Sequence, residues 1–273
     1  MKISHIIFKD YMSAIITSIH NCPVKSISFQ NIKKCKINKN VGIEGDRVFA
    51  FSQNLDLDQS TEFEKNPETR KGKWNKIVTL KNTPVFNKYN FLHEDNKLTL
   101  TLNNKEIITV NVNESDERDN LVKKLIELEG SLKNDVRLMR NDEYPFYDTS
   151  ISNKSMFRNS ISLLNINSIK DFENKIDQKI EKSIFRGNLY FDGVEAWEER
   201  NWIGKTIKIN NILFKVEKNI PRCVAINLKP ETDDNSFNLL KTLKQTYDHY
   251  DMGVYLTPEN DGEINLSEKI LIK

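Results

Sequence analysis

Two pairs of alternating runs, each closed by an Asn-Asn dipeptide, constrain this chain most. Lys97–Leu102 alternates polar and apolar residues, Asn103-Asn104 follows, and residues 107–112 form a second strand-like run. Residues 205–209 and 212–216 repeat the arrangement around Asn210-Asn211. A period of two puts the apolar set on one face of an extended strand. Asparagine tolerates the positive φ that tight hairpin turns need. Further strand-like runs lie at 14–19, 48–51, 136–139, 160–165, 251–255 and 270–272. Three short helices are expected. Ser115 caps the first, whose face is Leu121, Val122, Leu125 and Ile126 and whose end is Gly130; Ser168 caps the second, with Ile169, Phe172 and Ile176; residues 239–246 form the third. Residues 54–73 are polar and charged and read as a mobile surface loop. The sum is a mainly β (α+β), barrel-like fold with helical decoration, divided near residues 135–150.

Composition closes several alternatives. The 273 residues are 38% hydrophobic and 29% charged, which suits one or two packed domains. Basic and acidic residues number 41 and 39, for a net charge of +2, so there is no electrostatic case for nucleic acid. The cysteines are Cys22, Cys35 and Cys223, an odd set without a CxxC pair, which suggests neither a disulfide framework nor a cysteine-rich zinc site. The first nineteen residues carry Lys2, His5, Lys9 and Asp10 among their apolar residues, and no run is long enough to span a membrane. A cytoplasmic protein is expected.

Four stretches carry chemistry. Asn219-Ile220-Pro221-Arg222-Cys223 sets a thiol beside a permanent cation, which biases it toward the thiolate that ligates metals; a small buried core thiol is the competing reading. Pro23-Val24-Lys25-Ser26 offers an ammonium and a hydroxyl on a turn, suited to an anion or simply solvated. In Gly42-Ile43-Glu44-Gly45-Asp46-Arg47 the arginine leaves a tight turn and can fork onto a phosphate or carboxylate, or pair with Glu44 or Asp46 on the surface. Ser162, Asn165 and Ser168 sit where a strand runs into a helix start, and Arg186 and Asn188 share a strand face around Gly187.

In their order along the chain, these motifs resemble a known family. Pro23-Val24-Lys25-Ser26 and Gly45-Asp46-Arg47 look like the N-terminal β-barrel module that accompanies MOSC domains. Ser162-Leu163-Leu164-Asn165, Arg186-Gly187-Asn188, Glu198-Glu199 with Trp202-Ile203-Gly204, Pro221-Arg222-Cys223 and Asp251-Met252-Gly253-Val254-Tyr255 look like the MOSC domain itself. The resemblance implies a module at 1–140 and a MOSC β-barrel domain at 141–273, and a molybdenum–molybdopterin cofactor rather than pyridoxal phosphate. It implies similarity to the mitochondrial amidoxime-reducing components and their bacterial relatives. These are molybdenum-dependent oxidoreductases that reduce amidoximes, hydroxylamines and N-hydroxylated bases. A cofactor or sulfur carrier without its own turnover is the alternative. Carried onto this chain, Cys223 is the molybdenum ligand and catalytic centre. Lys25, Ser26, Arg47, Ser162, Asn165, Arg186, Asn188, Arg222 and Tyr255 hold the cofactor. No cysteine-rich extension follows, so a separate ferredoxin-, flavin- or cytochrome-type protein supplies electrons to a small N-hydroxylated substrate. Neither nucleic acid nor a membrane span enters. The chain departs from the family pattern at Ile220, where members often have Cys, at Arg200, where an Asp is usual, and at Lys229, in the place of another Asp.

Overall fold

The alternating runs do form hairpins. The computed structural model describes residues 14–27, 29–132, 135–147, 160–232 and 234–272. The expectation for the first thirteen residues, and Asp148 of the 145–148 loop, lie outside the described residues. The early strands are β1 (Ile15–Asn21), β2 (Gln30–Ile32), β3 (Lys34–Asn38), β4 (Gly42–Ile43) and β5 (Phe49–Ser52). Then come β6 (Tyr89–Glu94), β7 (Lys97–Leu102), β8 (Lys105–Asn111) and β9 (Arg137–Arg140). The later strands are β10 (Ile161–Asn165), β11 (Leu189–Asp192), β12 (Thr206–Ile209), β13 (Ile212–Pro221), β14 (Asp251–Pro258), β15 (Gly262–Asn265) and β16 (Ile270–Ile272). The helices are α1 (Leu57–Lys65), α2 (Ser115–Leu128), α3 (Ile166–Ile176) and α4 (Leu239–Tyr247). Asn103, Asn104 and Asn210 take φ of 52°, 58° and 54°, the left-handed turn geometry that asparagine accepts.

An eight-stranded sheet runs β16-β12-β13-β14-β10-β11-β1-β2. Only β10 and β11 pair in parallel within it. Its core includes Ile16, Leu163, Phe191, Trp202, Val254 and Ile272. The fold is mainly β with four helices among the described residues, as expected. A continuous closed barrel is not formed among them. β1, next to one edge, meets the segment that leads into β16, the other edge, by one bridge, Ile15 with Lys269, and by hydrogen bonds between Ala14 or Ile16 and residues 267–270. A second core lies under the β6-β7-β8 sheet, the β5-β9 pair and α2, with Val24, Phe49, Phe91, Leu98, Leu125 and Leu138. Leu228 from the far end of the chain joins it. The strand β1 pairs with β11, and β3 pairs with β15, so early residues complete the sheets of the later ones.

Three local expectations are corrected. Residues 54–73 are not a loop: α1 begins at a capping box, in which the Asp56 carboxylate accepts from Gln59 N at 2.7 Å and the Gln59 side chain accepts from Asp56 N at 3.3 Å. Phe63 is buried beneath it. Arg70, which is 6% exposed, donates to the carbonyls of Phe63, Glu64 and Tyr144 and lies 4.0 Å from the Phe146 ring centre. Ser115 is not the cap of α2 but its first residue; the cap is Glu114, with no side-chain bond. Ser168 does not cap α3. Asn165 does, accepting from Asn167 N at 3.0 Å, while the Ser168 hydroxyl donates to Glu199.

Candidate functional site

The long strand β13 ends at Pro221, and Arg222-Cys223 leave it directly. Arg222 N donates to Tyr250 O at 2.8 Å, which ties the exit to the start of β14. The Arg222 guanidinium donates Nη1 to Phe185 O at 2.7 Å and Nε to Met252 O at 3.0 Å. Its donors are thus committed to backbone carbonyls, and burial lowers its pKa. Arg222 clamps β14 to the turn before Arg186. Cys223 is the one exposed cysteine, at the start of a short 3-10 turn over Val224–Asn227.

The other motifs arrive from elsewhere in the chain. Residues 22–25 lie alongside 47–49: Arg47 N donates to Cys22 O at 2.7 Å, Phe49 N to Pro23 O at 3.0 Å and Lys25 N to Phe49 O at 2.8 Å. That pairing brings the segments that carry Lys25 and Arg47 together. Ser26, Arg47 and Arg186 have φ of 65°, 55° and 48°. Non-glycine residues in this region carry backbone strain that surrounding contacts must hold, a pattern that clusters at functional sites.

Beneath them sits Asp46, 1% exposed. Its Oδ1 accepts Cys22 N at 2.7 Å and Asn188 Nδ2 at 3.3 Å, and its Oδ2 pairs with the Arg47 guanidinium. Burial alone would lower the pKa of Arg47, but the adjacent carboxylate raises it above the ordinary arginine value. The alternative pairing of Arg47 with Asp46 is therefore real, but buried. The Cys22 thiol, at the same floor, is pushed up to about 12 by burial, so it stays protonated. Asn188 also bonds the Ser162 hydroxyl at 2.8 Å and reaches His20 O at 3.4 Å. The His20 ring stacks on Phe29 at 4.3 Å, both ring nitrogens lack partners among the described residues, and burial with the Lys182 charge lowers its pKa to about 4.

A cavity of about 390 Å³ results, lined by Lys25, Ser26, Arg47, Arg186, Arg222, Cys223 and Tyr255, with Cys22, Thr79, Leu80 and Lys81 among its other walls. A smaller one of about 80 Å³ shares Arg47, Arg186, Arg222 and Tyr255 and adds Tyr147, Ser160, Ser162 and Asn188. The structure thus brings together nine of the ten residues singled out. The exception is Asn165, which lines neither cavity: its side chain donates to Glu195 O at 2.8 Å and Glu199 Oε2 at 3.0 Å while capping α3. Its assignment to cofactor binding is corrected to a structural cap, because both its donor and its acceptor are used locally. Arg200, at the position where an Asp is usual, pairs with Asp251 at 3.4 Å.

Sequence reasoning missed Asp46, His20 and Lys81. Asp46 was noted only as a partner for Arg47, since nothing in one sequence distinguishes a buried carboxylate from a turn residue. Among the described residues, neither cavity has a carboxylate in its lining. Two buried polar atoms on these walls, Arg186 Nε and Ser160 Oγ, have no partner among the described residues. A wall of cations and unpartnered donors is suited to a bound anion. Among the described residues, no group of three or more His, Cys, Asp or Glu side chains could hold a metal by protein ligands alone.

Residues 149–270 match the MOSC domain. The match covers somewhat under half of the chain and includes Ser162, Arg186, Asn188, Arg222, Cys223 and Tyr255. Among solved structures, the chain is similar to the YUAD protein from Bacillus subtilis, at 11% identity over 97% of this chain and 98% of that one, with a TM-score of 0.43. It is also similar to YiiM from Geobacillus stearothermophilus, at 16% identity over 41% of this chain and 53% of that one, with a TM-score of 0.34. None of the curated proteins matches it in sequence.

Proposed function

We propose that this chain is a molybdenum-cofactor-dependent oxidoreductase that reduces small N-hydroxylated compounds with electrons from a separate redox protein. MOSC domains are associated with binding that cofactor. One observation carries the reading: Cys223 is exposed on a cavity walled by five cations, Lys25, Arg47, Lys81, Arg186 and Arg222, and, among the described residues, by no carboxylate. A phosphate-bearing pterin needs such a wall, and a soft metal centre suits a thiolate. When bound, the cofactor would supply the two-electron chemistry. Lys25, Ser26, Arg47 and Arg186 would hold its phosphate and pterin, with Ser162, Asn188 and Tyr255 bounding the inner end. Cys223 would be the protein ligand to the metal. Arg222 would keep the turn before Arg186 against β14, so that the thiol and the arginines keep their spacing.

Reduction of an amidoxime consumes two electrons and two protons, breaks the N–O bond, and leaves an amidine and water. The chain's part is to bind and orient. Residues 1–140 and 141–273 are proposed as the accessory module and the MOSC domain, with β1 lent to the sheet of the second. Among the described residues no helix is long and apolar enough to cross a membrane, and a cytoplasmic location is part of the proposal.

The test uses protein made in a cofactor-competent host. Molybdenum and pterin are quantified per chain, and benzamidoxime reduction by dithionite-reduced methyl viologen is assayed. The wild type should carry molybdenum and turn over, and Cys223→Ala should lose both metal and turnover. Metal-free wild type from that host, or turnover independent of Cys223, would sink the reading.

A further inference from the structure

The five cations of the cavity do not occupy equivalent places. Lys25 is 3% exposed, on the floor. Arg47 is paired with Asp46, Arg186 donates Nη2 to Asn87 Oδ1 at 2.6 Å, and Arg222 is spent on the carbonyls of Phe185 and Met252. Lys81 differs from all of these. It comes from the 79–81 segment, which no motif pointed to, and it is exposed at the mouth of the cavity, as Cys223 is. Among the described residues it joins no ion pair.

We infer that this mouth selects substrates bearing an anionic group, with Lys81 as the residue that makes the choice; the inference rests on the N-hydroxy reductase reading above. A concave surface lined by one sign of charge focuses potential and raises the local concentration of oppositely charged ligands. Like charge opposes entry, so cationic N-hydroxylated bases are disfavoured here. The buried cations answer the phosphate of the cofactor. An exposed side chain on the wall of the same cavity is placed instead for what enters after the cofactor is seated. The substrate class is a small N-hydroxylated compound carrying a carboxylate or comparable anion.

Benzamidoxime and 4-carboxybenzamidoxime differ by that one charge. The test compares them on cofactor-loaded wild type, Lys81→Glu, and Lys205→Glu, which reverses a surface lysine outside the cavity lining. At low salt kcat/KM should favour the carboxylate by about tenfold in the wild type, and the preference should shrink in high salt because exposed charges are screened. Lys81→Glu should abolish or reverse the preference through KM, and Lys205→Glu should leave it. Binding of both compounds to the same three proteins is measured by calorimetry, so the preference is read even without turnover. Anion-selective binding with no turnover would overturn the reductase reading and leave the selectivity standing. Equal binding of the two compounds, or a preference untouched by Lys81→Glu, would overturn the inference. So would loss of molybdenum and pterin from Lys81→Glu, which would assign Lys81 to the cofactor.

Discussion

Asn188 Nδ2 donates to Asp46 Oδ1 at 3.3 Å, across 142 positions of sequence. This contact joins the Arg186-Gly187-Asn188 motif, which leads into β11, to the turn that presents Arg47. The same Asp46 oxygen accepts Cys22 N at 2.7 Å, so one carboxylate sets the spacing of two motifs that line the cavity. A buried charge at this junction is tolerated because Arg47 neutralises it and fixed donors replace its water.

Replacing Asp46 by Asn should therefore cost about 3 kcal/mol of stability, since it leaves the Arg47 guanidinium without its counter-charge at a largely buried site. Urea unfolding checks this, and a change below about 1 kcal/mol would show that water solvates Arg47 in place of the carboxylate.

Cys223→Ala should leave stability within about 0.5 kcal/mol of wild type, because the side chain is exposed and packs in no core. Molybdenum content should nonetheless fall. A coordinated loss of melting temperature and metal would instead indicate a structural thiol.

His20 gives a pH dependence of definite sign. Its folded pKa is depressed from 6.5 to about 4 by burial and the Lys182 charge, so the fold favours the neutral ring. The stabilisation is whole above pH 6.5 and is lost as the pH falls toward 4, because the unfolded chain takes up the proton first. The loss should be at most about 3 kcal/mol. His20→Gln should flatten that portion of the stability–pH curve; an unchanged slope would place the acid sensitivity elsewhere.

Gly253→Ala should be strongly destabilising. Gly253 has φ of +80°, and an added Cβ would lie 2.6 Å from Leu163 O, a backbone atom of the adjoining strand that cannot move aside. Left-handed strain and the clash together should cost about 2–4 kcal/mol, read from the denaturation midpoint. A loss smaller than 1 kcal/mol would mean that β14 shifts to accommodate the methyl group.

How much of this was legible in the sequence differs by feature. The hairpin at Lys97–Leu102 and its partner, and the one leading to Pro221, were readable because alternation and Asn-Asn turns are local signals, set by side-chain period and allowed φ. The gathering of Lys25, Arg47, Arg186 and Cys223 was reached through motif order, and the cavity lining agrees with it. The helix α1 was missed although its capping box stood at Asp56 and Gln59, because Phe63 is the one large apolar residue it buries. Asn165 was misassigned because a cap and a ligand-binding amide look alike until their partners are known.

Taken alone, the sequence determined the strand periods, the turn positions and the run of motifs from Pro23 to Tyr255, because these depend on neighbours along the chain. The tertiary structure decided which carboxylate is buried and which cation faces solvent. Pairing β1 with β11, and residues 22–25 with 47–49, brings distant backbone into hydrogen-bond reach. Only that approach removes water from Asp46 while leaving it around Lys81. The charge of each group is then held by its surroundings and not by its place in the sequence.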